Sequence, residues 1–470
     1  MRIFLAVAML SFAMPSLLAD EAKPPFNILV VTSGHGADLP NFHRMFDELP
    51  NVRYDRAVLP GDMDLLAPGL EEKYDLVLTY CLNNHPITDA QRERFAALIE
   101  SGMPLIVLHH SLVGYADWSL YREMVGGQYL LEDTEIDGKL HPASSYKYDL
   151  DIDVQVVDRE HPITRGIENF TIHDEGYLNM YVREGVHVLL KTDHPDSTPE
   201  LAWTTRYGKG PVFVLTLGHD NHAFENPNFR QILRQGIQWG IEESRKYNIL
   251  ILTGGHGFDQ PNFYKMFDEM PNVRYSKATV PRDMDLLAPG LEKQYDLLFT
   301  YDMNNFPAIT DAQRERFAAL IESGMPLIVM HHSLCGHSNW QQYREMIGGG
   351  YVRWATEIDG RAYPASSYKY DLEMNIQVMD REHPITRGIE DFTIIDEGYK
   401  DMYIREGIHL LLKTDHPDAT PEVAWTTKYG KGIIFAIALG HDNKAYENPN
   451  LRRILHQAIQ WCIGESRKGE

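Results

Sequence analysis

The sequence predicts an α/β protein made of two tandem, doubly wound, three-layer domains, each with an inserted antiparallel element. Short apolar runs alternate with helical segments, which is typical of a mostly parallel sheet covered by helices on both faces. The pattern occurs twice, because residues 27–36 (NILVVTSGHG) match residues 248–257 (NILILTGGHG). A repeat of this length indicates a duplicated domain rather than a solenoid unit.

The first part of each copy predicts strands separated by helices. In the N-terminal copy the predicted elements are buried strands at 28–32, 74–80 and within 104–114, a strand at 52–58, and a helix at 41–49. A further helix is expected to begin after Thr88, which forms a capping box with Gln91, and to end near Ser101. The segment 104–114 (PLIVLHHSLVG) begins with a continuous apolar run, which indicates a strand buried on both faces.

The second part of each copy departs from this alternation. Residues 145–157 alternate polar and apolar side chains, and residues 186–192 and 201–206 look similar. This pattern favours antiparallel strands with one solvated face. Residues 211–217 form another buried run, and residues 228–242 have the apolar spacing of a closing amphipathic helix.

The predicted domains are residues 26–245 and 246–467. Their joint is so short that we expect the domains to pack together as an internal pseudo-dimer. Residues 1–19 carry one positive charge, an apolar run and a final small residue, which predicts a secretory signal peptide. We therefore expect a periplasmic or secreted protein, with an uncleaved N-terminus as the alternative.

Composition excludes several function classes. The formal net charge of −23 argues against nucleic acid, whose binding relies on clustered Lys and Arg, and disfavours docking on anionic lipid. No segment after the predicted signal peptide is apolar for long enough to span a membrane. The three cysteines have no cysteine counterparts in the other copy, so the copies share no disulfide framework.

Histidines directly follow the buried strands, so a doubly wound sheet would place them along one edge. They are His35, His109, His110 and His219 in the first copy and His256, His331, His332 and His441 in the second. Glu175 and Glu397 come from the inserted region, which can fold over that edge. Imidazoles with a carboxylate can bind Zn²⁺ or move protons on a sugar hydroxyl or carbonyl carbon. The alternative is that some of these histidines only hydrogen-bond loop carbonyls.

Four motifs recur in order in both copies: the histidine turn, HPIT at 161–164, DEGY at 174–177, and the terminal LGH that ends at His219. As an ordered set, they make each copy resemble the ThuA-like (trehalose utilisation) family. The resemblance covers nearly the whole of both copies. It implies a flavodoxin-like fold related to class I glutamine amidotransferases, and a role in the catabolism of disaccharides or their keto derivatives.

The histidine turn departs from the pattern of the amidotransferase relatives. In those relatives the turn after the central strand carries a nucleophilic cysteine, whereas here it carries His109-His110 and His331-His332. Thiol-based amide hydrolysis is therefore not expected. Ser111 remains a nucleophile in principle, but no GxSxG elbow surrounds it.

We predict an exported enzyme that hydrolyses or isomerises a disaccharide or keto-glycoside at one His/Glu site in each domain. The catalytic candidates are His110, Glu175, His219, His332, Glu397 and His441. The metal candidates are these six with His35 and His256, for a divalent ion such as Zn²⁺; no nucleotide cofactor is indicated. The substrate-binding candidates are His35, His109, Tyr115, Trp118, Tyr177, His256, His331, Trp340 and Tyr399. The alternative is a non-catalytic carbohydrate-binding tandem module.

Overall fold

The computed structural model describes residues 25–33, 39–82, 85–303, 309–358 and 360–468. The predicted signal peptide at 1–19 and the candidate residue His35 lie outside the described residues, so both stay predictions. Within the described part of the chain, no helix is long and apolar enough to cross a membrane.

The N-terminal domain alternates strands and helices in the predicted order. Its strands are β1 (Phe26–Ser33), β2 (Val52–Val58), β3 (Leu76–Cys81), β4 (Leu105–Leu108), β5 (Gly127–Gln128), β6 (Thr134–Ile136), β7 (Lys139–His141), β8 (Ser145–Val156), β9 (Phe170–Leu178), β10 (Tyr181–Val182), β11 (His187–Lys191), β12 (Glu200–Tyr207) and β13 (Gly210–Leu215). Its helices are α1 (Leu39–Asp47), α2 (Asp89–Glu100), α3 (Ser119–Val125), α4 (Asn221–Glu225) and α5 (Pro227–Ser244).

The C-terminal domain repeats this order. Its strands are β14 (Tyr247–Gly254), β15 (Val273–Thr279), β16 (Leu297–Asp302), β17 (Leu327–Met330), β18 (Gly349–Gly350), β19 (Thr356–Ile358), β20 (Arg361–Tyr363), β21 (Ser367–Val378), β22 (Phe392–Lys400), β23 (Tyr403–Ile404), β24 (His409–Thr414), β25 (Glu422–Tyr429) and β26 (Gly432–Ile437). Its helices are α6 (Gln260–Asp268), α7 (Asp311–Glu322), α8 (Gln341–Ile347), α9 (Asn443–Tyr446) and α10 (Pro449–Arg467).

Each domain is built on one nine-stranded mixed sheet. The N-terminal strand order is β2-β1-β3-β4-β13-β12-β11-β8-β9, and the C-terminal order is equivalent. The first five strands are parallel in the flavodoxin-like order, and the last four are antiparallel. The predicted fold class is therefore confirmed. The inserted antiparallel element extends the main sheet at one side rather than forming a separate layer.

Strand β1 shows why each domain has three layers. Ile28 and Val30 belong to one hydrophobic cluster, whereas Leu29 and Val31 belong to another. Alternate side chains of a strand point to opposite faces, so both faces of the sheet are covered. Strand β8 instead alternates exposed and buried residues along its second half, as predicted for a strand with one solvated face.

Charged side chains join the two domains close to the short joint. Glu243, near the end of α5, accepts hydrogen bonds from Arg206 of its own domain at 3.0 Å and from Arg274 of the C-terminal domain at 2.6 Å. Lys209 lies 3.0 Å from Asp296 across the same boundary. These ion pairs connect the domains, while the boundaries at 245/246 and the pseudo-dimer arrangement stay predictions.

Candidate functional site

The C-terminal histidines lie at the carboxyl edge of the parallel strands. His331 and His332 begin a 3₁₀ turn directly after β17, and His441 follows the neighbouring parallel strand β26. Gly440 precedes His441 with φ of 111°, and a Cβ there would lie 1.9 Å from Cε of Met330. Only glycine fits this position, because it tolerates both the left-handed backbone and the close approach.

The backbone determines which nitrogen of His331 faces the site. Nδ1 lies 2.6 Å from the carbonyl oxygen of Ala438, and this oxygen can only accept, so Nδ1 carries the hydrogen. Nε2 then lies 2.9 Å from Oε2 of Glu397 and 2.8 Å from the hydroxyl of Tyr399. The fully buried His331 thus contacts a carboxylate and a phenol with one defined nitrogen.

Asp396, the residue before Glu397, holds the loop that carries His441. Its carboxylate accepts hydrogen bonds from the backbone N–H groups of Gly440, His441 and Glu397 at 2.6, 2.9 and 2.8 Å. Burial raises the pKa of Asp396 against the opposing effects of the His331 charge and these three donors. Asp396 therefore positions Glu397 and His441, which both line the pocket.

His332 and His441 complete the centre. The ring of His332 lies 4.7 Å from that of Tyr301 and 5.4 Å from that of His441. Nε2 of His441 lies 4.0 Å from Oε2 of Glu397, which is beyond hydrogen-bond distance. Burial lowers the pKa of both imidazoles, and the nearby His331 charge lowers it further.

These residues line a pocket of about 290 Å³ in the C-terminal domain. Its lining residues are His256, Met303, His332, Cys335, Tyr351, Arg353, Tyr368, Tyr370, Glu397, Tyr399 and His441. Tyr368 and Tyr370 are 57% and 51% exposed, and the Tyr370 ring lies 5.1 Å from that of His441. The pocket therefore has a polar, buried base and an aromatic outer wall.

The N-terminal domain has the same centre. Nδ1 of His109 lies 2.5 Å from the carbonyl oxygen of Thr216, and Nε2 lies 2.9 Å from both Glu175 Oε2 and the Tyr177 hydroxyl. Nε2 of His219 lies 4.0 Å from Glu175 Oε2. The counterparts of Asp396 and Tyr370 are Asp174 and Tyr148, which make equivalent contacts to the His219 backbone and ring.

Most predicted site residues are brought together. In the C-terminal domain, His256, His332, Glu397 and His441 all line the pocket, and the His256 ring lies 4.4 Å from that of His332. In the N-terminal domain, the His110 ring lies 5.5 Å from that of His219, and Glu175 completes the cluster. The predicted substrate-binding residues His109, His331, Tyr177 and Tyr399 belong to the buried centre.

Three predicted substrate-binding aromatics are placed differently. Trp118 and Trp340 pack on Tyr121 and Tyr343 in the hydrophobic core, where each tryptophan is 5% exposed. Tyr115 is buried in the same N-terminal cluster as Trp118. The prediction that they stack on a sugar at the edge of the sheet is therefore corrected, because the helices that follow the histidine turn direct these rings inward.

Sequence reasoning missed three parts of the site. Tyr301 donates a hydrogen bond to the carbonyl of Gly440 at 2.8 Å, and Tyr80 donates to the carbonyl of His219 at 2.9 Å. Tyr370 and Arg353 line the pocket. The sequence carried no local signal for Tyr370, because simple alternation puts it in phase with the buried Leu372 and Met374, whereas the strand register shifts between Lys369 and Leu372.

The arrangement offers two kinds of chemistry. Glu397 and His441 can exchange protons with a hydroxyl that lies between them. The second kind is metal binding. Four ligand atoms lie within 4.8 Å of one another in the C-terminal domain, from His331, His332, Glu397 and His441, and the N-terminal domain offers three, from His109, His110 and Glu175.

Comparisons with known proteins give one family match and several similar solved structures. The ThuA family model, described as trehalose utilisation, matches residues 61–240 and 248–462. A ThuA-like protein from Parabacteroides merdae is 18% identical over 46% of this chain and 90% of its own, with a TM-score of 0.40. A ThuA-like protein from Bacteroides uniformis is 19% identical over 47% and 94%, with a TM-score of 0.35. PurLQS from Thermotoga maritima is 12% identical over 46% and 99%, with a TM-score of 0.32.

No curated protein matches this chain in sequence. The two regions matched by the family model together span well over half of the chain, and each contains one complete histidine centre. The predicted resemblance is thus confirmed: this chain belongs to the ThuA (trehalose utilisation) family and carries two copies of its domain.

Proposed function

We propose that the protein is an exported carbohydrate-processing enzyme with one active site in each domain. The substrate is a disaccharide or keto-glycoside, and the reaction is a hydrolysis or isomerisation that requires proton transfer. The carrying observation is the pairing of a buried glutamate with a histidine whose Nε2 lies just beyond hydrogen-bond distance, at 4.0 Å in both domains. A sugar hydroxyl in this gap can contact both groups, because a hydroxyl both donates and accepts hydrogen bonds.

Glu397 and His441 are the residues that act on substrate, because both line the pocket. His331 is fully buried and supports Glu397 from behind. Burial alone would raise the pKa of Glu397, but the hydrogen bond and charge of His331 hold it below its ordinary value. Burial raises the pKa of Tyr399, so its hydroxyl stays protonated and acts as a donor. Glu397 is thus a carboxylate ready to accept a proton.

The shape of the pocket supports a sugar as the ligand. Its volume of about 290 Å³ is at the small end of the range for ligand pockets. Tyr368 and Tyr370 present exposed aromatic surface at its wall, and such rings pack on the apolar faces of sugars while their hydroxyls bond to water or ligand. The family description, trehalose utilisation, supports the same class of substrate.

The test is a screen of disaccharides and 3-keto-glycosides with the full chain and with a variant carrying Glu175→Gln and Glu397→Gln. Removing both proton acceptors should lower kcat by about 10²–10⁴-fold while the secondary structure is retained. Glu390→Gln is the matched control, because Glu390 pairs with Arg381 on the exposed surface. Binding of a sugar without any product would instead support the non-catalytic module, and unchanged turnover in the double variant would overturn the assigned roles.

A further inference from the structure

The base of the C-terminal pocket contains a buried imidazole whose hydrogen-bonding capacity is unused. His332 is 2% exposed, and neither Nδ1 nor Nε2 has a hydrogen-bond partner among the residues that the structure describes. Burial of such a group costs free energy unless something satisfies it. Because His332 also lines the pocket, a ligand that enters the pocket can supply the missing partner.

Three further side chains place atoms that can bind a metal ion close to His332. The ligand atoms of His331, His332, Glu397 and His441 all lie within 4.8 Å of one another. Ligands around a tetrahedral zinc ion, with bonds of about 2.0–2.1 Å, are about 3.4 Å apart. The two spacings from Glu397 Oε2, 2.9 Å to His331 and 4.0 Å to His441, lie on either side of that value.

His331 is oriented as a metal ligand would be. Its Nδ1–H donates to the Ala438 carbonyl, so Nε2 is the nitrogen that faces the carboxylate of Glu397. A histidine whose second nitrogen donates to a backbone carbonyl is the usual arrangement for a metal ligand in proteins.

We infer that His331, His332, Glu397 and His441 bind a divalent transition-metal ion of the zinc class in the C-terminal domain. Three imidazoles and one carboxylate suit Zn²⁺ and its neighbours Co²⁺ and Fe²⁺, whereas Mg²⁺ and Ca²⁺ prefer oxygen ligands. In the N-terminal domain His109, His110 and Glu175 form a three-residue version of the cluster. We expect that site to bind the ion more weakly, because fewer donor atoms are already close together.

The experiment measures metal directly and needs no substrate. The full chain is stripped with a chelator and dialysed, and Zn²⁺ uptake is followed by calorimetry and by metal analysis of the dialysed protein. The test variant carries His332→Ala and His441→Ala. The control is His409→Ala, since His409 pairs with the carboxylate of Asp380 at an exposed site in the same domain.

We expect wild type and the His409 variant to retain one more equivalent of tightly bound Zn²⁺ than the double variant. Zn²⁺ should raise the Tm of the first two proteins more, since a ligand that binds only the folded state stabilises it. Co²⁺ should give the visible absorption of a four-coordinate site only where these ligands are present. Glu397→Gln, which preserves side-chain volume, is the second variant and should weaken Zn²⁺ binding at least tenfold.

Equal zinc content and equal affinity in all four proteins would overturn the inference, as would the absence of uptake by wild type at micromolar Zn²⁺. If metal binds as expected but no sugar is turned over, the metal site stands and the proposed function fails. If sugar is turned over by metal-free protein, the proposed function stands without the ion.

Discussion

The two domains share one histidine centre but differ in the wall behind it. The distances from the central histidine to its carbonyl, carboxylate and phenol partners agree within 0.1 Å between the domains. Behind the centre, Asp302 of the C-terminal domain stands where the N-terminal domain has Cys81, and His337 stands where it has Tyr115. The histidine centre therefore keeps its geometry in both domains, whereas the residues behind it differ.

The C-terminal wall contains a buried contact between a histidine and a carboxyl group. Nε2 of His337 lies 3.0 Å from Oδ2 of Asp302, and Ser333 donates to Oδ1 of Asp302 at 2.9 Å. In the N-terminal domain the Cys81 thiol donates to the Val31 carbonyl at 3.1 Å. A lone buried carboxylate would be costly, so the aspartate and the histidine must be present together.

The pocket wall differs as well. Arg353 lines the C-terminal pocket, whereas its N-terminal counterpart is Leu131, which is 63% exposed. The same centre is therefore combined with a cationic wall in one domain and an apolar residue in the other.

The largest expected effect concerns the buried contact between His337 and Asp302. Asp302→Ala leaves His337 buried without its partner and should lower the free energy of unfolding of the C-terminal domain by about 3–5 kcal/mol. Cys81→Ala should cost about 1 kcal/mol, because only a small side chain and one weak hydrogen bond are lost. Urea unfolding monitored by fluorescence and far-ultraviolet circular dichroism measures both. Equal losses in the two variants would show that the contact between His337 and Asp302 contributes nothing beyond packing.

A second comparison is between Glu243 and Glu465, which occupy equivalent positions near the end of the last helix of each domain. Burial alone would raise the pKa of Glu243, but Lys246, Arg274 and Arg206 hold it below its ordinary value. Glu465 contacts Lys468, close to the end of the described chain. Glu243→Gln should therefore lower the free energy of unfolding at pH 7 by about 1–3 kcal/mol, and Glu465→Gln by under about 1 kcal/mol.

The pH dependence sharpens this comparison. A carboxyl group with a lowered folded-state pKa stabilises the fold above its unfolded pKa, and this contribution is lost as the pH falls through the folded value. The difference in the free energy of unfolding between wild type and Glu243→Gln should have its largest value at pH 7. It should shrink as the pH falls below about 4.5. Unfolding experiments at pH 7, 5 and 4 measure it. A difference that stays constant over this range would remove the charge of Glu243 from the explanation.

The smallest expected effect concerns Arg353 and Leu131. Arg353→Leu should reduce the preference of the C-terminal site for a uronic acid over the neutral parent sugar by about fivefold, near 1 kcal/mol. Leu131→Arg should increase that preference at the N-terminal site. Calorimetric titration with both sugars tests this, and the affinity for the neutral sugar is the internal control. A parallel change for both sugars would mean that Arg353 acts on the shape of the pocket rather than through its charge.

Local patterns in the sequence were sufficient for much of the fold. The apolar runs predicted the buried strands, and Thr88 and Gln91 form the predicted capping box with distances of 3.0 and 3.2 Å. The duplication predicted the two equivalent sheets. The position of the histidines after buried strands predicted that they would meet at one edge, because parallel strands share the direction of their carboxyl ends.

By itself, then, the sequence determined the order of the elements, the burial of the strands and the edge at which the histidines gather. Only the tertiary structure decided that His331 lies behind Glu397 rather than in the pocket, that Trp118 and Trp340 belong to the core, and that Glu243 joins the two domains. The physical reason is that periodicity along the chain encodes whether a residue is buried. Which buried groups touch depends on strand register and helix packing between segments far apart in the chain, and a local pattern carries no record of them.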